Sequence, residues 1–208
     1  MLLHLQRATT RRAAPALALR ALSSQRRRLP TVEDIRRYSP AELEHARVDL
    51  ADALDLIGHA KVTEARRGEL LRLLATTHLR LGASLDAEHC LDEALDIEDR
   101  NLAMTSEPED GGAARCDTTF LLGVCYQKSG RLDRAERKFN EVLDSDDGHW
   151  RSRFHLALLR IKGSEFEEAE ELLLRVHEQS PDHEKTIELL AKLKERSDAE
   201  QLKLAPPP

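Results

Sequence analysis

The chain has 208 residues, 40% of them apolar and 34% charged, with a formal net charge of −6. That is room for one ordinary domain or two very small ones, with enough apolar residues to bury a core. Only seven residues are aromatic, which disfavours a strand-rich sandwich, and no stretch approaches the roughly 18 to 20 uninterrupted apolar residues of a membrane-spanning helix.

Residues 1 to 32 contain seven arginines (Arg7, Arg11, Arg12, Arg20, Arg26, Arg27, Arg28) and no acid, with Ser, Thr, Leu and Ala between them. This composition predicts a mitochondrial-type targeting presequence over 1–28. The apolar stretch Ala13 to Leu19 is closed by Arg20, too early for a secretory signal, and Arg20-Ala21-Leu22-Ser23 resembles a mitochondrial processing site. A basic arm that binds RNA or anionic lipid is the competing reading. Without residues 1–28, 25 Lys and Arg stand against 38 Asp and Glu, a formal charge of −13. Such a body repels phosphate backbones, so no nucleic-acid partner is expected.

From Ser39 onward, apolar residues recur at spacings of three and four, and no strand pattern competes. Ser39-Pro40-Ala41-Glu42 combines a capping residue, a proline at the first helical position and a glutamate at the third. It predicts a helix over about 40–60, within an N-terminal segment 29–67. Gly82 and Gly130 separate further helical runs, and Ser164-Glu165-Phe166-Glu167, just after Gly163, reads as a second capping box.

The helical runs repeat. Phe120/Phe154, Leu122/Leu156, Gly123/Ala157, Ala135/Ala169, Phe139/Leu173 and Val142/Val176 all share a spacing of 34. An earlier copy falls into register at 48, through Leu74/Leu122, Ala75/Gly123, Gly82/Gly130, Ala87/Ala135 and Leu91/Phe139. The copies are therefore 68–101, 116–149 and 150–183. The additional residues fall in 102–115, where Ser106-Glu107-Pro108-Glu109-Asp110-Gly111-Gly112 has the composition of an exposed acidic loop. A capping helix is expected over 184–198, then a disordered Pro-rich tail over 199–208. Small residues on both helices of each copy allow close approach, and each pair leaves an apolar edge for its neighbour to cover.

With Leu122-Gly123, Tyr126, Gly130, Ala135, Phe139 and Leu143 in the middle copy, and Leu156-Ala157, Ala169, Leu173 and Pro181 in the third, the chain resembles the tetratricopeptide repeat family. The resemblance spans roughly 68 to 183 and implies an all-α fold, a right-handed superhelical stack of antiparallel helix pairs (a TPR-like α-solenoid). Thr119 and Arg153 depart from it, where the family usually has a large apolar residue, as does Arg160, where it usually has an aromatic. In this family the first helices of successive repeats line a concave groove. Carried over residue by residue, the groove positions are Arg72, Thr76 and Arg80, then Phe120, Val124, Gln127 and Lys128, then Phe154, Leu158, Ile161 and Lys162. An apolar ladder with a basic edge suits a protein or peptide partner with apolar anchors and some acid. Either residues 40–60 or the C-terminal helix could instead cover the ladder.

No other chemistry competes. His149/His155 and His177/His183 are six apart, off a common helix face, and His89-Cys90 are adjacent and diverge, so no metal site is expected. Cys90, Cys116 and Cys125 include no C-x-x-C pair and read as small apolar packing residues. There is no Gly-rich phosphate loop, no G-x-S-x-G and no H-E-x-x-H, so neither a cofactor nor enzymatic activity is expected. The expected function is a mitochondrial, matrix-facing interaction module, an assembly factor or adaptor capturing a peptide or subunit. The alternatives are a constitutive accessory subunit of a large mitochondrial complex (respiratory complex, ATP synthase or ribosome) and an organelle RNA-binding helical repeat protein.

Overall fold

The computed structural model describes residues 29–57, 64–104 and 109–204, and the elements they form are all helices. In chain order these are α1 (Val32–Arg37), α2 (Pro40–Ile57), α3 (Glu64–Leu81), α4 (Ser84–Met104), α5 (Glu109–Lys128), α6 (Leu132–Ser145), α7 (Trp150–Gly163), α8 (Phe166–Gln179) and α9 (Glu184–Leu204). The expected presequence 1–28 lies outside the described residues. The chain divides into two compact units, Met1–Cys125 and Tyr126–Pro208.

In the first unit α3 packs against α4, and α1 and α2 pack against α3. Its core is a seam of Leu43, Leu50, Leu70, Ala75, Ala87, Leu91, Ala94 and Ile97, each at most 2% exposed. Helix α2 starts as Ser39 and Pro40 dictate. The Ser39 amide and hydroxyl both donate to the Glu42 carboxylate, at 2.8 and 2.7 Å, closing the capping box. Helix α1 was not foreseen. Thr31 and Asp34 form a reciprocal box of their own, the Asp34 amide donating to Thr31 Oγ1 at 3.2 Å and the Thr31 amide to Asp34 Oδ2 at 2.9 Å. The short helix they start buries Ile35 completely.

In the second unit α7 packs on α6 and α8, and α9 packs on α8. Its core gathers Phe154, Ala157, Ala169, Leu173, Val176 and Leu193, with Leu158, Ile161, Phe166, Leu172, Leu189 and Leu190 packed around them. Burial of side chains this size supplies about 1.5 to 3 kcal/mol each, and Ala157 and Ala169, with no exposure at all, set how closely α7 and α8 approach.

One turn recurs through the chain. Gly82, Gly130 and Ser164 all have left-handed backbone, with φ of 82°, 78° and 66°. The next amide in each case donates to the carbonyl five residues back: Ala83 to His78, Arg131 to Tyr126 and Glu165 to Arg160, all at 2.9 Å. This is the Schellman closure of a helix C-terminus. It corrects the reading of Ser164 as the start of a capping box. Ser164 ends α7, and the residue before α8, Glu165, makes no side-chain cap. Gly163 lies inside α7, so the position that usually takes glycine is held here by a serine.

Other boundaries move as well. Helix α3 begins at Glu64, ahead of the expected start at 68, and α2 is described to Ile57. Only 105–108 of the expected loop 102–115 falls outside the described residues; α4 runs to Met104 and α5 starts at Glu109, so the insertion is taken up largely as extra helix. Gly111 and Gly112 cost helix propensity of about 1 kcal/mol each. Packing further along α5 outweighs this, burying Thr118, Thr119 and Leu122, while Arg115 Nε donates to Asp99 Oδ1 of α4 at 2.8 Å. The capping helix α9 extends to Leu204, so the expected tail 199–208 is helical over its first six residues.

Candidate protein-binding face

The groove positions of the first unit are engaged inside the fold. The Arg72 guanidinium is ion-paired with Glu98 of α4, the two side chains being 20% and 7% exposed. Glu98 Oε1 also accepts from Thr118 Oγ1 of α5 at 2.9 Å, so one carboxylate joins three helices. Burial pushes the Glu98 carboxyl above its ordinary range, opposed by the Thr118 hydroxyl and the Arg72 charge. Thr76 Oγ1 donates to the Arg72 carbonyl at 2.8 Å, and Arg80 Nη1 donates to the Ile35 carbonyl of α1. The N-terminal segment thus reaches the outer end of α3. Phe120 and Val124 are half-buried on α5.

In the second unit the groove positions separate into two groups. Phe154 is 8% exposed and sits in the core, its ring edge-on to His183 at 4.8 Å and to His155 at 5.9 Å. Gln127 accepts from His155 Nδ1 at 2.6 Å, and His155 stacks on Phe139 with ring centroids 5.2 Å apart. Burial drives the His155 imidazole down to about 4, helped by the charges of Lys185 and His149, so the ring is neutral and its Nδ1 carries the donated proton. Leu158 and Ile161 are half-buried, and Lys128 and Lys162 are exposed.

The two departures on α7 are accounted for by this local chemistry. Arg153, 5% exposed, donates to Gln179 Oε1 and Asp147 Oδ1, each at 2.8 Å, and so ties the start of α7 to the end of α8. Arg160 holds Glu136, Glu165 and Glu168 at 2.5, 3.0 and 3.0 Å, linking α6, α7 and α8. Thr119 is buried to 1% with its hydroxyl unpartnered among the described residues. Helix α7 carries Arg151, Arg153, Arg160 and Lys162 and no acid, although the chain as a whole is acidic. Two of these charges are spent within the unit. The other two, Arg151 and Lys162, are exposed at opposite ends of the helix, with Leu158 and Ile161 between them. Arg151 lies over the Trp150 ring at 5.6 Å. Arg151 was missing from the groove positions inferred from sequence; its signal is the acid-free run from Trp150 to Lys162.

Among the described residues no group of three His, Cys, Asp or Glu could hold a metal, and no helix is long and apolar enough to cross a membrane. Burial pushes the Cys90 thiol up to about 11, with Glu93 and Asp86 adding to it, so this cysteine is a poor nucleophile.

Residues 126–193 match the tetratricopeptide repeat family. Among solved structures, RapI in its apo form superposes with a TM-score of 0.61 at 16% identity; the match covers 81% of this chain and 62% of RapI. The chain thus spans less than two thirds of the length of that structure. YrrB, described as a TPR protein with an unusual peptide-binding site, is 19% identical over 85% of this chain and 97% of its own, with a TM-score of 0.34. MamA from Desulfovibrio magneticus RS-1 is 17% identical over 82% of this chain and 97% of its own, with a TM-score of 0.37. No curated protein sequence matches. The RapI superposition bears on the fold alone.

Proposed function

Starting from the match of residues 126–193 to the tetratricopeptide repeat family and from the all-α, TPR-like fold, we propose that the chain is a mitochondrial interaction module, an assembly factor or adaptor that captures a partner segment along α7. The observation that carries this is the charge segregation on that helix. Arg151 and Lys162 bracket the apolar steps Leu158 and Ile161 and are exposed, while Arg153 and Arg160 are consumed internally. A segment with apolar anchors and acidic residues at both ends complements that arrangement, its anchors supplying burial and its acids the register. The mitochondrial part rests on the acid-free, arginine-rich composition of residues 1–28.

The test is to purify C-terminally tagged protein gently from mitochondria, alongside Arg151→Glu with Lys162→Glu. Both side chains are exposed, so the double variant should fold like the parent. A substoichiometric partner set that disappears in the variant supports capture; a partner set unaffected by the two charge reversals rejects it. A second reading, a constitutive accessory subunit, is favoured by the internal engagement of Arg72, Arg80 and Phe154, and it predicts a stoichiometric complex that survives the variant. Fusing residues 1–38 to a fluorescent reporter tests the targeting, and a diffuse cytosolic signal would refute it.

A further inference from the structure

Helix α7 begins with an unusual cap. His149 occupies the N-cap, and its Nδ1 lies 2.9 Å from Ser152 Oγ and accepts from the Ser152 amide at 3.2 Å. Ser152 has no exposed surface, so this amide has no water to fall back on. Its remaining partner is the His149 carbonyl at 3.1 Å. The arrangement returns one repeat later. His183 Nδ1 is 2.7 Å from Oγ1 of Thr186, itself fully buried, where α9 begins. Ser, Thr, Asp and Asn, the usual residues at such positions, accept at any neutral pH. An imidazole accepts at Nδ1 only while that nitrogen is unprotonated.

We propose that His149 makes the opening turn of α7 proton-sensitive: the neutral ring closes the turn, and the imidazolium opens it. Two effects act in the same direction. Protonation replaces the acceptor facing the Ser152 amide with an N–H, and it sets a positive charge at the positive end of the helix dipole. The Ser152 hydroxyl can reverse and accept from the new N–H, whereas the amide cannot. Asp146 and Asp147 precede the ring in the turn and carry negative charge, and Arg153, bound to Asp147, carries positive charge just after it; Lys185, at the start of α9, acts on the neighbouring His155, as His149 itself does. Arg151 belongs to this turn, so its position depends on the cap. The functional meaning of the switch rests on α7 being the contact helix, but the switch itself is measured without any partner.

The experiment is amide hydrogen exchange at Ser152 and Arg153 in the full chain, corrected for intrinsic rates, between about pH 8 and pH 6, within the range where imidazoles titrate. Protection in the parent should fall about threefold to tenfold across that range, the worth of one cap. His149→Asn keeps an acceptor that does not titrate and should hold protection constant. His183→Asn, which gives the neighbouring helix start an acceptor that does not titrate, should leave the fall in place. A parent with constant protection overturns the proposal, as does an equal fall in His149→Asn or the loss of the fall in His183→Asn. None of these outcomes depends on whether Arg151 and Lys162 bind anything.

Discussion

Residues 118, 152 and 186 follow one another at the repeat spacing of 34, the last of them in the capping helix, and all three are fully buried hydroxyls. They serve different chemistry in the two units. In the first, Thr118 lies well inside α5 and donates to Glu98, completing a charged junction with Arg72. In the second, Ser152 and Thr186 stand one turn into their helices and face histidine caps. The difference follows from where each helix begins. Helix α5 starts at Glu109, so residue 115 is already helical and needs no cap, whereas α7 and α9 start afresh after tight turns. One buried hydroxyl thus supports a carboxylate where it lies well inside its helix and an imidazole where it stands one turn from the helix start.

That contrast can be broken from either side. Glu98→Ala should have the largest effect, leaving Arg72 without its partner and costing about 3 to 5 kcal/mol in denaturant unfolding. The double replacement Glu98→Leu with Arg72→Met should restore much of this, since two uncharged groups leave nothing unpaired. The second unit should instead fail through acid. The His155 pKa is depressed from 6.5 to about 4, so the unfolded chain takes up a proton there before the folded one does. Its stabilisation is complete above about pH 6.5 and is lost as pH falls through that window toward 4, about 3 kcal/mol at most. Replacing His155 with Phe, which keeps the stack on Phe139, should flatten this acid limb, and an unchanged slope would assign it elsewhere. Next in size, Ala169→Leu should overpack the α7–α8 seam and cost about 1 to 3 kcal/mol by thermal unfolding, while leaving exchange protection in α3 and α4 unaltered. The smallest change should be a gain. Ser164→Gly removes a side chain from a left-handed residue and should stabilise the second unit by about 1 kcal/mol, because Gly82 and Gly130 already hold the equivalent positions.

Features that depend on local backbone chemistry or on repeat spacing were legible in the sequence. Ser39-Pro40 opens a helix, Gly82 and Gly130 turn left-handed, and Ala75, Ala87, Ala135, Ala157 and Ala169 are fully buried. Where reading failed, composition had stood in for context. Gly111-Gly112 suggested a loop, yet the buried residues further along α5 carry helix through them. Ser164 looked like a cap because serine commonly is one, but its neighbours place it at the end of α7. The candidate site was less legible than the fold. Arg72 and Arg80 sit at groove positions, and a spacing rule cannot say that a buried glutamate 26 residues later or a carbonyl of α1 will claim them. His149 escaped notice for a related reason, since histidine is outside the usual set of capping residues. The pair His149-x-x-Ser152 and His183-x-x-Thr186, repeated at 34, was nonetheless visible.

Trp150 is the sole tryptophan of the chain, and it lies against His183 with ring centroids 5.0 Å apart and beneath the Arg151 guanidinium. Indole emission responds to neighbouring charge and to water. The protein therefore carries a built-in optical reporter at the first residue of α7, excitable without labelling and free of background from any other indole. Partner docking at Arg151 or fraying of the helix start should each alter its intensity or wavelength.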